Sequence, residues 1–263
     1  MRSGFTPEEV ACYRDLGYLH VTAFLNEVEL RRWQKVVTAA VEERIGYTLR
    51  GQPAGDRENP YSNVFLQLML LSRTHDEVRE LMHDPKLGEL AATLAGIEHI
   101  HIWHDQALIK EPLANATAFH RDVPFWSFDS AHAISIWVAL DDATLNNGCL
   151  YVLPRSQRMT DYQHAPIGVN MGELAARYPD LATIEPVAVP AKAGDAIYID
   201  GMVAHAAGCN MTTTYRRAMT CAYMPHGVRF NGKKNILSDD YVSSLTVGDV
   251  LNNEEELPTI YPQ

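Results

Sequence analysis

Two histidine–acid pairs in this chain have spacing that could serve a metal: His75-x-Glu77 and His120-x-Asp122. On an extended backbone, side chains two apart lie on one face. An imidazole and a carboxylate so placed need one more imidazole to form a 2-His-1-carboxylate set, the ligand pattern of a non-haem Fe(II) centre with open positions. Eleven histidines and thirty-three acids in 263 residues yield roughly 1.4 such pairs by composition alone, so the spacing decides nothing by itself. The setting separates them. His75 and Glu77 lie in T-H-D-E-V-R-E-L-M, a helical pattern in which positions two apart do not share a face. That pair reads as a solvated helix start. His120 and Asp122 stand in F-H-R-D ahead of the β-type run A-H-A-I-S-I-W-V-A-L, and a third ligand is available at His205 in G-D-A-I-Y-I-D-G-M-V-A-H.

The elements that must position these residues follow from local signals. Thr6-Pro7-Glu8-Glu9 starts a helix with a cap, a first-position proline and a capping-box glutamate, and Gly17 should stop it. Tyr18 to Val21 reads as a short strand. Asn26 caps a long amphipathic helix over about 27–43. Residues 45–62, rich in Gly, Pro and Asn, read as a long loop of the kind that often carries function. Two helices are expected near 75–83 and 85–95, the second restarted by Asp84-Pro85. From Ile97 the pattern turns extended: strands are expected over 100–110, 131–140, 149–153, 196–199 and 217–224, with Asn146-Asn147-Gly148 as a turn. Gly194 and Asp195 should form a tight turn before the 196–199 strand. Residues 155–185 are irregular, with helix expected near 171–178, and the tail after His226 reads as loop and short helix. Helices followed by short strands imply an α+β architecture, a β-sandwich or barrel with helices packed outside. No linker composition marks the change near 97, so one domain over 1–263 is expected: a helical region over 1–96, a core over about 97–226 and an extension over 227–263.

Eleven residues beyond His205 lies Arg216, opening R-R-A-M-T-C-A-Y, with turn residues 208–214 between. An antiparallel return would carry an arginine back towards the metal. A buried guanidinium there needs an anion. A dicarboxylate that chelates the metal at one end would serve, and a surface position or an internal salt bridge would equally account for the spacing.

The formal charge of −11 argues against nucleic acid, which requires a basic footprint, and against anionic membrane surfaces. A small-molecule substrate is the expected partner, and oligomeric state is not legible. The four cysteines, at 12, 149, 209 and 221, contain no C-x-x-C pair, which fits reduced thiols in a cytoplasmic protein. No apolar leader, spanning segment, phosphate-binding glycine loop or Ser-His-Asp elbow is present.

The ordered set H-R-D, then W-V-A-L-D-D-A-T-L-N-N-G-C-L-Y-V-L-P, then G-D-A-I-Y-I-D-G-M-V-A-H, then an arginine eleven residues on, resembles the phytanoyl-CoA dioxygenase family. The opening F-T-P-E-E-V-A-C-Y-R-D-L-G-Y-L-H-V is similar too, and 105–224 carries the strongest likeness. The resemblance implies a double-stranded β-helix (jelly-roll, cupin-like) core with the N-terminal helices outside. It implies Fe(II), 2-oxoglutarate and O2 as cofactor and cosubstrates, and hydroxylation of an unactivated C–H of a small organic metabolite with succinate and CO2 as co-products. It further implies His120, Asp122 and His205 as iron ligands and Arg216 as partner of the distal 2-oxoglutarate carboxylate, with Trp137 and Gln106 near the cosubstrate. Substrate contacts are expected from loops 45–62 and 155–185.

Arg216 and Arg217 face opposite ways on a strand. Met219, Cys221 and Tyr223 follow on the 217 face, and Ala218, Thr220 and Ala222 on the 216 face. Hydrophobicity alone favours Arg217 as the inward residue; the room a cavity floor needs, and the family spacing, favour Arg216.

Two positions depart from the family's pattern. Arg155-Ser156-Gln157 stands where G-S-H is common, and Ala207 where a hydroxyl residue often supplies a hydrogen bond. Asp122 is retained, where halogenating members carry a small residue. His99-x-His101 resembles half a cupin motif but lacks the glutamate. His104 and His132 are read as pocket or core residues, and His164 and His226 as candidates for a substrate entrance. A non-catalytic jelly-roll binding protein and a cupin-type metalloenzyme that ignores 2-oxoglutarate are the alternative functions.

Overall fold

A computed structural model describes residues 1–49, 63–168 and 170–262. Helix α1, Pro7–Leu16, starts where the cap predicts: Glu9 N donates to Thr6 Oγ1 and Thr6 N donates back to the Glu9 carboxylate. It stops at Gly17, whose φ of 83° is left-handed and favours glycine. Strand β1 is Tyr18–Val21, and α2 is Glu27–Ile45, capped by Asn26. Then come β2 (Leu66–Met69), α3 (Asp76–Met82) and α4 (Pro85–Ala95). The strand-rich region holds β3 (Ile100–Lys110), β4 (Thr117–His120), β5 (Ile134–Ala139) and β6 (Leu150–Val152). After α5 (Glu173–Arg177) follow β7 (Val187–Val189), β8 (Ala196–Asp200), β9 (His205–Ala207) and β10 (Arg216–Pro225). The chain closes with α6 (Asp239–Ser244) and β11 (Thr259–Tyr261).

The strands form two antiparallel sheets that make a jelly roll. The major sheet runs β1-β8-β5-β10-β3-β11, with β2 also paired to β3, and the minor sheet runs β4-β9-β6-β7. The strands expected from sequence are all present, β1 and β3 at the expected bounds. Strands β2, β7, β9 and β11 were not expected: isolated runs of three or four residues carry too little alternation to register as a pattern, while the extended run expected to carry both His120 and Asp122 is present as β4 but ends at His120. The sheet therefore recruits β1 and β2 from the helical region and β11 from the extension.

The outer face of the major sheet carries Met219, Cys221 and Tyr223, which join the core made by Trp33, Val37 and Leu90 of the helices. The inner face packs towards the minor sheet through Trp137, Ala218, Ile199, Leu150 and Ala207. Gly194, at φ 91°, makes the expected turn into β8, and Asp195 secures it by accepting from Ala23 N and Lys192 N. No helix among the described residues is long and apolar enough to cross a membrane.

Candidate metal centre and cosubstrate cavity

His120, Asp122 and His205 each offer a donor atom, and these atoms lie within 4.8 Å of one another. The two histidines are cross-strand partners on β4 and β9. Their Nε2 atoms lie 3.6 Å and 3.8 Å from Asp122 Oδ1. Contrary to the expectation from spacing, His120 and Asp122 do not share an extended strand. Strand β4 ends at His120, and Asp122 has helical dihedrals (φ −75°, ψ −53°) at the start of a 3-10 turn over Val123–Phe125. The carboxylate reaches the imidazoles because the chain turns. That turn is pinned by Gly201, whose carbonyl accepts from both Asp122 N and Val123 N at 3.0 Å. A Cβ at Gly201 would stand 2.6 Å from Val123 Cγ2, so the close approach requires glycine.

Both imidazoles are oriented by the same device. His120 Nδ1 lies 2.9 Å from Ala118 O and His205 Nδ1 lies 3.1 Å from Val203 O. A carbonyl oxygen only accepts, so Nδ1 carries the proton and Nε2 is left with its lone pair towards the shared point. Burial, and then the neighbouring His205, push His120 down to about 4, which keeps its donor lone pair available at neutral pH. The segment before His205 is held by Ser156 Oγ, which accepts from Ala204 N at 2.7 Å.

These groups open onto a cavity of about 230 Å³ between the sheets. Arg216, Trp137, Gln106 and Ala207 all line it. The Arg216 guanidinium is buried, lies 5.3 Å over the Trp137 ring, and has no partner for Nε or Nη1; Trp137 Nε1 is likewise unpartnered. Buried donors without acceptors are costly unless something else supplies the acceptor, so this end of the cavity fits a carboxylate, as the carboxylate-bearing triad fits a divalent iron. Desolvation pulls Arg216 down to about 10, still charged at neutral pH. Gln106 accepts from Gln67 Nε2 at 2.5 Å.

The remaining sequence expectations divide. His104 lines the cavity, and burial pushes it down to about 4, so it stands neutral. His132 is exposed, with Nδ1 3.2 Å from Ala95 O, and lies away from the cavity. His226 is also elsewhere, 3.0 Å from His101, while the His164 ring packs 5.3 Å from Phe125, a lining residue. Arg155 and Arg158 pair with Asp15, and Gln157 donates to Arg14 O and Asp15 O, so this departure docks α1. From the 155–185 segment Ile167 reaches the cavity. Of the 45–62 loop, residues 50–62 lie outside the described residues. Sequence reading missed Gln67 and Met69, which line the cavity from β2, Phe65 just before that strand, and Phe125 and Trp126 from the turn after Asp122. The alternation of Phe65, Gln67 and Met69 was the available signal, too short to stand alone.

The family model for phytanoyl-CoA dioxygenase (PhyH) matches residues 13–218. Among curated relatives, a methylphosphonate hydroxylase of Gimesia maris is 27% identical over 85% of this chain and 82% of its own. A 2-aminoethylphosphonate dioxygenase of an uncultured bacterium is 24% identical over 84% and 82%. Among solved structures, the non-heme alpha ketoglutarate dependent carbocyclase SnoK from nogalamycin biosynthesis superposes with a TM-score of 0.79 at 24% identity, covering 97% of this chain and 96% of that one. EctD from S. alaskensis, with 2-oxoglutarate and 5-hydroxyectoine, gives 0.66 at 20% identity over 86% and 78%. The structural likenesses carry the jelly-roll fold. The family match spans most of the chain, which belongs to the phytanoyl-CoA dioxygenase family of iron- and 2-oxoglutarate-dependent oxygenases.

Proposed function

We propose that this protein hydroxylates an unactivated C–H bond of a small organic molecule, with His120, Asp122 and His205 holding Fe(II) and Arg216 receiving the distal carboxylate of 2-oxoglutarate. One observation carries the reading: a converging His-Asp-His donor set and a buried, unpartnered guanidinium line the same cavity. When bound, iron with 2-oxoglutarate and O2 supplies the oxidising chemistry, splitting the cosubstrate to succinate and CO2 as one oxygen atom goes to the substrate.

The chain's own residues do the positioning. Ala118 O and Val203 O hold the two Nδ1 protons and so aim both Nε2 lone pairs. Arg216, seated on Trp137, orients the dicarboxylate, and Gln106 flanks it. Phe65, Met69, Phe125 and Trp126 exclude water from the substrate side. Relatives are named for phosphonates, yet the only arginine or lysine among the described lining residues is Arg216, which is assigned to the cosubstrate. The described part of the lining, with Phe65, Met69, Phe125 and Trp126, suits a substrate with an apolar body.

The test is a substrate screen with Fe(II) and 2-oxoglutarate, read by succinate release and product mass. Substrate-dependent succinate with a product sixteen mass units heavier is expected for hydroxylation. Turnover that ignores 2-oxoglutarate would sink the reading.

A further inference from the structure

Behind Arg216 lies a second buried basic side chain. Lys110 is the cross-strand partner of Arg216 in the β3–β10 ladder, and directly opposed residues share a face. Its side chain is fully buried. Two of its three donors are satisfied by backbone carbonyls, Val64 O at 3.1 Å and Asn115 O at 2.6 Å. A slot is kept for its stem: a Cβ at Gly148, where φ is 91°, would stand 2.5 Å from Lys110 Cδ.

Among the described residues no carboxylate pairs with either side chain. Asp141, the carboxylate that bears on Arg216, is held by Arg217. Glu111 is not free either. The groups bearing on Lys110 from the packed elements are the Arg216 guanidinium on β10 and the Cys209 thiol after β9; Asp141 and Cys149 bear on Arg216. Two charged groups side by side, desolvated and with no carboxylate paired to them among the described residues, would destabilise the fold, so the lysine gives up its proton in the absence of a ligand, and an arriving anion is what would charge it.

We propose that Lys110 is a second cation of the cosubstrate site, standing behind Arg216 so that the distal carboxylate of 2-oxoglutarate settles against two positive charges, and that binding the dicarboxylate protonates the lysine. This rests on the reading of the cavity as a 2-oxoglutarate site. Lys110 is a positioning residue: it acts through the field at Arg216. The proton balance is simple, with Lys–NH2 taking one proton from solvent to become Lys–NH3+ as the anion arrives. Burial, and then Arg216, push the free lysine down to about 7. A carboxylate nearby raises it. Affinity for 2-oxoglutarate is then highest below about pH 7 and falls as pH climbs towards the bound-state value, by up to about tenfold per unit.

The test is titration calorimetry of 2-oxoglutarate into the full chain loaded with Ni(II), in buffers of different ionisation enthalpy, from about pH 6 to about pH 9. Proton uptake at the alkaline end is expected for the wild type, and the proton count needs no variant. Lys110→Met should abolish that uptake, flatten the pH profile and weaken binding by about tenfold at the acid end. A structural plug would change stability and leave the proton count unmoved. Binding without proton uptake in the wild type overturns the role of Lys110 and leaves the 2-oxoglutarate reading standing. No binding at any pH overturns the reading of the cavity, and the proposal with it.

Discussion

Arg216 and Arg217 are neighbours in sequence and opposites in circumstance. Arg217 looks outward, donating to both Asp141 oxygens at 2.6–2.8 Å and to Thr38 at 2.8 Å. Its interactions are closed. Arg216 looks inward, stacked on Trp137 with two guanidinium nitrogens unpartnered. The rest of β10 divides the same way: Ala218, Thr220 and Ala222 leave room inside, while Met219, Cys221 and Tyr223 fill the helix-packed core outside. An arginine with its acid already in place stabilises the fold, whereas one denied an acid and surrounded by small side chains is set up for a ligand. Hydrophobicity ranks the wrong face as inward because both faces of this strand are buried.

The inner side can be broken most severely at the metal. Asp122→Ala should abolish succinate formation and iron binding, while Glu77→Ala, in the look-alike pair at the start of α3, should do neither. Full activity in Asp122→Ala would end the assignment. Next, Arg216→Ala should weaken 2-oxoglutarate by about 3–5 kcal/mol, the loss expected on removing one partner of a buried charge pair. Kinetics at varied cosubstrate concentration would show it as a steep rise in the apparent constant.

The outer side should fail differently. Met219→Ala, in the core against the helices, should cost about 2–5 kcal/mol of stability in denaturant melts and leave cosubstrate affinity in the surviving folded protein unchanged. Arg217→Ala should cost about 1 kcal/mol, since its pair with Asp141 is partly exposed, again with an unaltered 2-oxoglutarate constant. A large cosubstrate defect in Arg217→Ala with none in Arg216→Ala would invert the comparison.

Much of this was legible in the chain before folding. The Thr6 and Asn26 caps, the helix stop at Gly17, and the bounds of β3 are local properties, decided by hydrogen bonds and periodicity within a few residues. The donor types at 120, 122 and 205 were legible too, because iron chemistry restricts which side chains can serve. Their convergence was not. It depends on a helical turn at Asp122 pinned by Gly201, on His120 and His205 pairing across two short strands, and on carbonyls that fix both tautomers. The β2 wall of the cavity and the pairing of Lys110 with Arg216 join segments far apart in sequence. Such contacts form only when the sheets close, and no local pattern encodes which residues a closed sheet sets opposite one another.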